Sequence, residues 1–342
     1  MVKIHNSKNR GRSSNFRILH AVVALTILLL TLSSLSLRLG SASISTPAFF
    51  RALLFRGEYA HSVILYQLRL PRILAAILGG IGLSVSGALL QTVTDNPLAA
   101  PNIIGVNAGA GLAVVISLAV SPALLVATAL PAFLGAAAAG ALILGISRAL
   151  GSSRTSLVLA GMALNAILNA AISLFTLLDT DLLTSYHAFS VGGLAGVGYE
   201  KLLFPAIMIL TAAIFAFFLA PQLNPLALGD SVAISLGIRA RRMRTVAVLL
   251  ASASAAGVVS FAGLLGFVGL VVPNVARRLV GSSLRRLVPL SALLGANLLL
   301  AADLIGRILA APSELPVGIT MSAIGAPFFL WVLFSRRKKG GV

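Results

Sequence analysis

Ten long stretches of this chain carry almost no charge: residues 18–37, 73–92, 103–120, 124–146, 157–177, 202–219, 246–264, 267–280, 288–309 and 319–334. A helix rises 1.5 Å per residue, so about 20 apolar residues cross a hydrocarbon core about 30 Å thick. All but the short 267–280 stretch, which carries Pro273, approach that length. Only 10% of the residues are charged and 58% are hydrophobic, against about 25% charged in ordinary globular chains. A water-facing fold could not hide that much apolar surface. The expectation is an all-α integral membrane protein, a polytopic bundle of about ten transmembrane helices over residues 18–335. A basic leader at 1–17 and a basic tail at 336–342 flank it.

Charge placement orients the bundle. A net charge of +18 in a soluble protein would point to nucleic acid. In a membrane protein the same excess gathers in cytoplasmic loops, because such loops resist translocation. With the N-terminus inside, 19 of the 26 Lys and Arg fall on the cytoplasmic side. They lie in the leader, around Arg148 and Arg154, at Arg239 to Arg244, at Arg277 to Arg286 and in the tail. Both termini are then cytoplasmic, and the nucleic-acid reading loses its support. Six of the eight acids, Glu58, Asp179, Asp181, Glu200, Asp303 and Glu314, fall on or near the outer side. The first stretch has too long an apolar core for a cleaved signal and reads as a retained anchor.

Few residues offer chemistry. There is no cysteine, no two of His5, His20, His61 and His187 lie at metal-ligand spacing, and His187 reads as a solvated loop residue. No GxxxxGK[ST] phosphate loop occurs. An enzyme would cluster acids, histidines or a nucleophile with its base. An ion-coupled secondary transporter would place ionisable relays inside its spans. Neither pattern is present. Asp303 and Arg307 lie four apart, suited to an ion pair. Gly79, Gly80, Gly82 and Gly87, and then Gly105, Gly109 and Gly111, read as helix-packing positions. Intramembrane Asn107, Asn165, Asn169 and Asn297 either line a polar passage or bond neighbouring helices. The turn Asp95-Asn96-Pro97-Leu98-Ala99-Ala100-Pro101 breaks two spans near membrane depth, where irregular backbone survives only if buried or facing a wet cavity.

Two charged segments need partners. Arg69 and Arg72 sit on the outer side, where arginine is disfavoured. Guanidinium groups fork onto carboxylates, so an acidic extracellular partner or anionic substrate is expected there. The cytoplasmic segment from Leu226 to Arg244 reads as a short amphipathic helix closed by Gly237, longer than a connector needs to be. Such an element suits docking of a cytoplasmic protein.

At Arg69-Leu-Pro-Arg72, Ser86-Gly-Ala-Leu-Leu-Gln91, Asn96-Pro-Leu-Ala99, Leu228-Gly229 with Leu236-Gly237, Gly266-Phe-Val-Gly-Leu-Val-Val-Pro273 and Ser313-Glu-Leu-Pro-Val-Gly318, the chain resembles the FecCD family. These are permease subunits of ABC importers for ferric siderophores, haem and vitamin B12. The resemblance implies a vitamin B12 permease-like, type II ABC importer fold and a homodimer or paired permease. It implies two cytoplasmic ATPases, which hold ATP and Mg, and an extracytoplasmic binding protein; no cofactor or metal is expected on this chain. A ferric siderophore is the first substrate choice, with haem or cobalamin as the alternative. By the same resemblance Arg69, Arg72 and Arg307 dock the binding protein. Leu228, Gly229, Asp230, Ser235, Leu236, Gly237, Ile238 and Arg239 couple to the ATPase. The candidates for the gate or path are Asn96, Pro97, Asn107, Asn165, Asn169, Pro273 and Asn274. The chain departs from the family at Asn274, usually histidine, and at Asp95, usually another polar residue. A bacterial or archaeal cytoplasmic membrane is the implied location.

Overall fold

The computed structural model describes residues 7–40, 45–54, 59–102, 104–121, 128–151 and 153–337; among them there are helices and turns but no strand. Residues 1–6 of the leader, Glu58, residue 103 and residues 124–127 of the third and fourth expected spans, and residues 338–342 of the tail lie outside the described residues. The helices are α1 (Ser7–Arg38), α2 (Thr46–Leu53), α3 (Tyr59–Val63), α4 (Leu70–Thr94), α5 (Val106–Val120), α6 (Ala129–Ala149), α7 (Arg154–Leu178) and α8 (Thr180–Val191). They continue as α9 (Leu203–Phe218), α10 (Ala220–Leu223), α11 (Asp230–Ser235), α12 (Ala240–Ala262), α13 (Val268–Val280), α14 (Leu284–Leu309) and α15 (Val317–Arg337).

Each of the ten apolar stretches has its helix, and the helices differ widely in length. Among the described residues, six helical segments are long and apolar enough to cross a bilayer, including Tyr59–Thr94 taken as one; the pair Leu203–Phe218 and Ala220–Leu228, bent by 67°, makes a seventh. Val106–Val120 and Val317–Trp331 are shorter, and α13 has only 13 residues. At 1.5 Å each those 13 reach about 20 Å. The chain between α12 and α13 therefore turns well inside the bundle, where Leu265 is buried.

The second span, expected over residues 73–92, starts earlier, ahead of Pro71. A proline has no N–H for the turn before it, and its ring crowds the carbonyl four residues back. The structure runs helix through the site by widening the turn: Ile64–Arg69 is a π-helical segment, with Leu70 N–H bonded to Leu65 C=O. Three further helices, α2, α3 and α8, occupy stretches without a long apolar run. His187 therefore sits on the helix α8, not in a loop, although its side chain is exposed.

α4 is the axis of the bundle, packed on α14, α12, α13 and α9. Glycine permits a close crossing of α4 and α14. A Cβ on Gly80 would lie 2.1 Å from the carbonyl oxygen of Gly295, and one on Gly295 would lie 2.2 Å from that of Gly80. No larger residue fits, so the backbones of α4 and α14 touch and gain dispersion contacts where lipid supplies no hydrophobic drive. α1 is peripheral and meets α14 through Asn297, whose amide donates to Leu25 C=O at 3.1 Å. Asn297 thus bonds a neighbouring helix, one of the two roles its sequence position allowed.

Candidate functional site

The polar chemistry gathers at the two ends of the bundle. At the end where α1 stops and α4 begins, here the upper end, Arg69 and Arg72 meet Arg307 of α14. Arg72 forks onto Asp303: Nε donates to Oδ1 and Oδ2 at 3.0 and 3.1 Å, and Nη2 to Oδ1 at 2.8 Å. Its Nη1 pairs with Glu314, on the segment between α14 and α15. Arg307 Nε lies 3.2 Å from Asp303 Oδ2, the i,i+4 ion pair foreseen from spacing.

The remaining N–H groups close the end of α1. Arg69 Nη1 donates to Leu37 C=O at 2.6 Å and to Arg38 C=O at 2.9 Å; Arg307 reaches Ser36 and Leu39. The last carbonyls of a helix lack intrahelical donors and carry partial negative charge, so cations belong there. All three arginines are buried, at 5%, 9% and 2% relative exposure for Arg69, Arg72 and Arg307. They are floor rather than surface: all three line a cavity of about 750 Å³, with Tyr199, Glu200 and Glu314 at its walls. A second cavity of about 560 Å³ is lined by Ser185, His187, Phe189, Ser260, Phe261 and Pro316 among others. Arg72, Ala195 and Glu314 border both.

At the lower end, the chain after α4 turns at Asp95, whose φ of 50° is left-handed, a region that short polar residues tolerate best. Asn96 Oδ1 accepts from Leu98 N–H at 2.9 Å and fixes the turn. Asn274, one turn past Leu270 on α13, donates to Pro97 C=O at 2.9 Å and to Leu270 C=O at 2.8 Å. Gln91 of α4 donates to Gly269 and Leu270 C=O at 3.3 Å and accepts from Arg277. Pro273 is buried inside α13 beside these contacts. Asn274 and Asp95 thus each have a partner. Asn274 holds the turn to α13, and Asp95 pairs at 3.0 Å with Arg154 of α7.

Arg154 also donates to Leu226 C=O, tying the turn to the segment that leads into α11. The cap of α11 is the one its sequence indicated. Gly237 adopts φ +77° and donates to Ile234 C=O at 2.9 Å, while Ile238 N–H reaches Ala233 C=O at 3.0 Å, the paired bonds of a Schellman ending. Asp230 at the start of α11 pairs with Arg244 of α12. Gly229 precedes it, Ser235 Oγ donates back to Val232 C=O, and Arg239 stands at the start of α12. Leu228, Ile234 and Leu236 are left 70%, 64% and 62% exposed.

Of the gate and path candidates, Asn96, Pro97, Pro273 and Asn274 meet at the lower turn, whereas Asn107, Asn165 and Asn169 do not join them. Asn169 Nδ2 donates to Asn165 C=O at 2.8 Å and Oδ1 at 3.0 Å on an outward face of α7. Asn107 on α5 keeps a buried Oδ1 with no hydrogen-bond partner. Arg154 and Gln91 were not foreseen as site residues, though Gln91 closes one of the motif blocks. Nothing in local sequence marks a group whose partners lie far along the chain. Among the described residues, no three His, Asp or Glu side chains gather as metal ligands would.

A glycine-packed helical bundle with a polar network at each end is the architecture of a multispan membrane protein. The chain belongs to the FecCD transport family, whose model matches residues 26–335. It is 39% identical over 328 residues to the Fe(3+)-citrate import system permease protein YfmE of Bacillus subtilis, covering 94% of this chain and 97% of that one. It is 37% identical over 321 residues to the hemin transport system permease protein HmuU of Yersinia pestis, covering 92% and 95%. Among solved structures, a metal-chelate type ABC transporter in an inward-facing conformation superposes with a TM-score of 0.82 at 31% identity. That likeness covers 92% of this chain and 98% of the other.

Proposed function

We propose that this chain is the permease subunit of an ABC importer that carries a ferric siderophore or related iron chelate across a cytoplasmic membrane, with both termini in the cytoplasm. Two permease subunits enclose the path, two ATPases bearing ATP and Mg bind below, and an extracytoplasmic binding protein delivers the chelate above. The exposed apolar face of α11 carries the reading. Ile234 on α11 and Leu236 at its cap stand outside the spans, just after Leu228 at the end of the bent pair, and Arg244 and Arg154 brace the segment. Exposed leucine and isoleucine on a braced helix favour a soluble partner. An ion-coupled carrier needs no such partner.

ATP binding moves the ATPase surfaces; α11 takes up that motion, and Arg154 passes it to the Asp95–Pro101 turn and, through Asn274, to α13. The bundle then shifts between two arrangements of the same helices. At the upper end, Arg69, Arg72 and Arg307 receive acidic side chains of the binding protein from within their cavity. The iron-chelate assignment follows the relatives' names; haem and cobalamin are the alternatives.

The test replaces Ile234 and Leu236 together by Asp in the permease co-expressed with its ATPases. Both side chains are exposed, so the permease still folds. Loss of a central apolar anchor costs about 2 kcal/mol or more, so co-purification of the ATPase and chelate uptake should each fall at least about tenfold. Wild-type co-purification and uptake would overturn the assignment of α11.

A further inference from the structure

Of the carboxylates around Arg72, one is fixed and one is movable. Asp303 is 1% exposed, sits on α14 and has both oxygens engaged, by Arg72 on one side and Arg307 on the other. Glu314 belongs to the non-helical segment between α14 and α15, and its side chain keeps 28% of its exposure. It faces the upper cavity, from which an incoming group would arrive, and it forms with Arg72 and Ala195 the shared wall of both cavities. Without Glu314, the Arg72, Arg307 and Asp303 cluster holds two cations against one acid beside Arg69.

We propose that Glu314 is a displaceable internal acid: it occupies Arg72 Nη1 in the undocked permease and gives way to a carboxylate side chain of the binding protein. This rests on the docking role assigned above to the arginines. Arg72 stays in place during the exchange, because Asp303 holds two of its three nitrogens. Charge is conserved at the site, one carboxylate replacing another, so a buried cation is never left unpaired, which is the state that costs most. Departure of Glu314 removes one of the three residues that separate the two cavities and widens the passage between them. Docking and opening of the upper mouth are then one event, and a binding protein lacking the acid neither docks nor opens it.

The experiment uses the permease–ATPase complex in nanodiscs and the fluorescently labelled binding protein of the same transport system as probe. Glu314→Gln removes the competing charge while keeping the side chain's shape. Affinity should rise about tenfold, the value of one charge-assisted hydrogen bond no longer competed for. Glu314→Asp should lie near wild type. In an Arg72→Gln background, which itself should weaken binding, Glu314→Gln should raise affinity clearly less than in the wild-type background, since the pair it relieves is gone and only its action on Arg69 and Arg307 remains. If Arg72→Gln weakens docking but Glu314→Gln leaves it unchanged or weaker, the exchange is overturned and the docking role stands. If Arg72→Gln itself has no effect, both are overturned. Equal elution profiles and ATPase content of all variants show that the comparison is between folded complexes.

Discussion

Asp303 shows how a charge is kept inside a membrane protein. A carboxylate moved into a medium of low dielectric pays a large desolvation cost unless cations and donors surround it. Asp303 has the Arg72 fork on one side and Arg307 one helical turn away on the other. The pairing with Arg307 was legible from a spacing of four residues on one helix. The pairing with Arg72 was not, since 231 residues separate the two. Removing one partner of a buried set leaves the others uncompensated, so Asp303→Asn should destabilise the permease by about 3–5 kcal/mol. It should lower the thermal midpoint in detergent well below that of Asp303→Glu. Equal midpoints for the two variants would show that the arginines are held by their backbone contacts alone.

Among the elements, α4 and α14 carry the clearest consequence of composition. Glycine stretches within apolar sequence marked packing positions, but which helices they would join depended on how the chain folded back. The structure pairs Gly80 with Gly295, backbone against backbone. Gly80→Leu should force the two helices apart, which costs more than the roughly 1–3 kcal/mol usual for overpacking, and should abolish a monodisperse elution peak. A Cβ placed on Gly145 of α6 would meet nothing within 4 Å. Gly145→Leu should therefore leave the elution profile unchanged. Similar behaviour of the two variants would place the α4–α14 contact elsewhere.

Across the whole molecule, the asymmetry of basic residues sets orientation, because segments rich in Lys and Arg stay on the cytoplasmic side. The absence of cysteine makes this testable with single thiols. In right-side-out vesicles, Tyr199→Cys should react with a membrane-impermeant maleimide from outside. Ser235→Cys should react only after permeabilisation. The reverse pattern would invert the bundle and with it the assignment of α11 to a cytoplasmic partner.

Patterns that depend on neighbours along the chain were determined by the sequence alone. Apolar length set the helices, charge placement set the expected orientation, and Gly237 set the end of α11, since a left-handed cap needs only the residue that can adopt it. The tertiary structure decided what depends on residues far apart in the chain. It placed Arg69, Arg72 and Arg307 in a buried floor rather than on a surface, carried the helix past Pro71 through a widened turn, and put Arg154 between the Asp95 turn and Leu226. The physical reason is that a guanidinium group reaches whatever carboxylate or carbonyl lies within hydrogen-bond distance, and that distance exists only after the helices have packed.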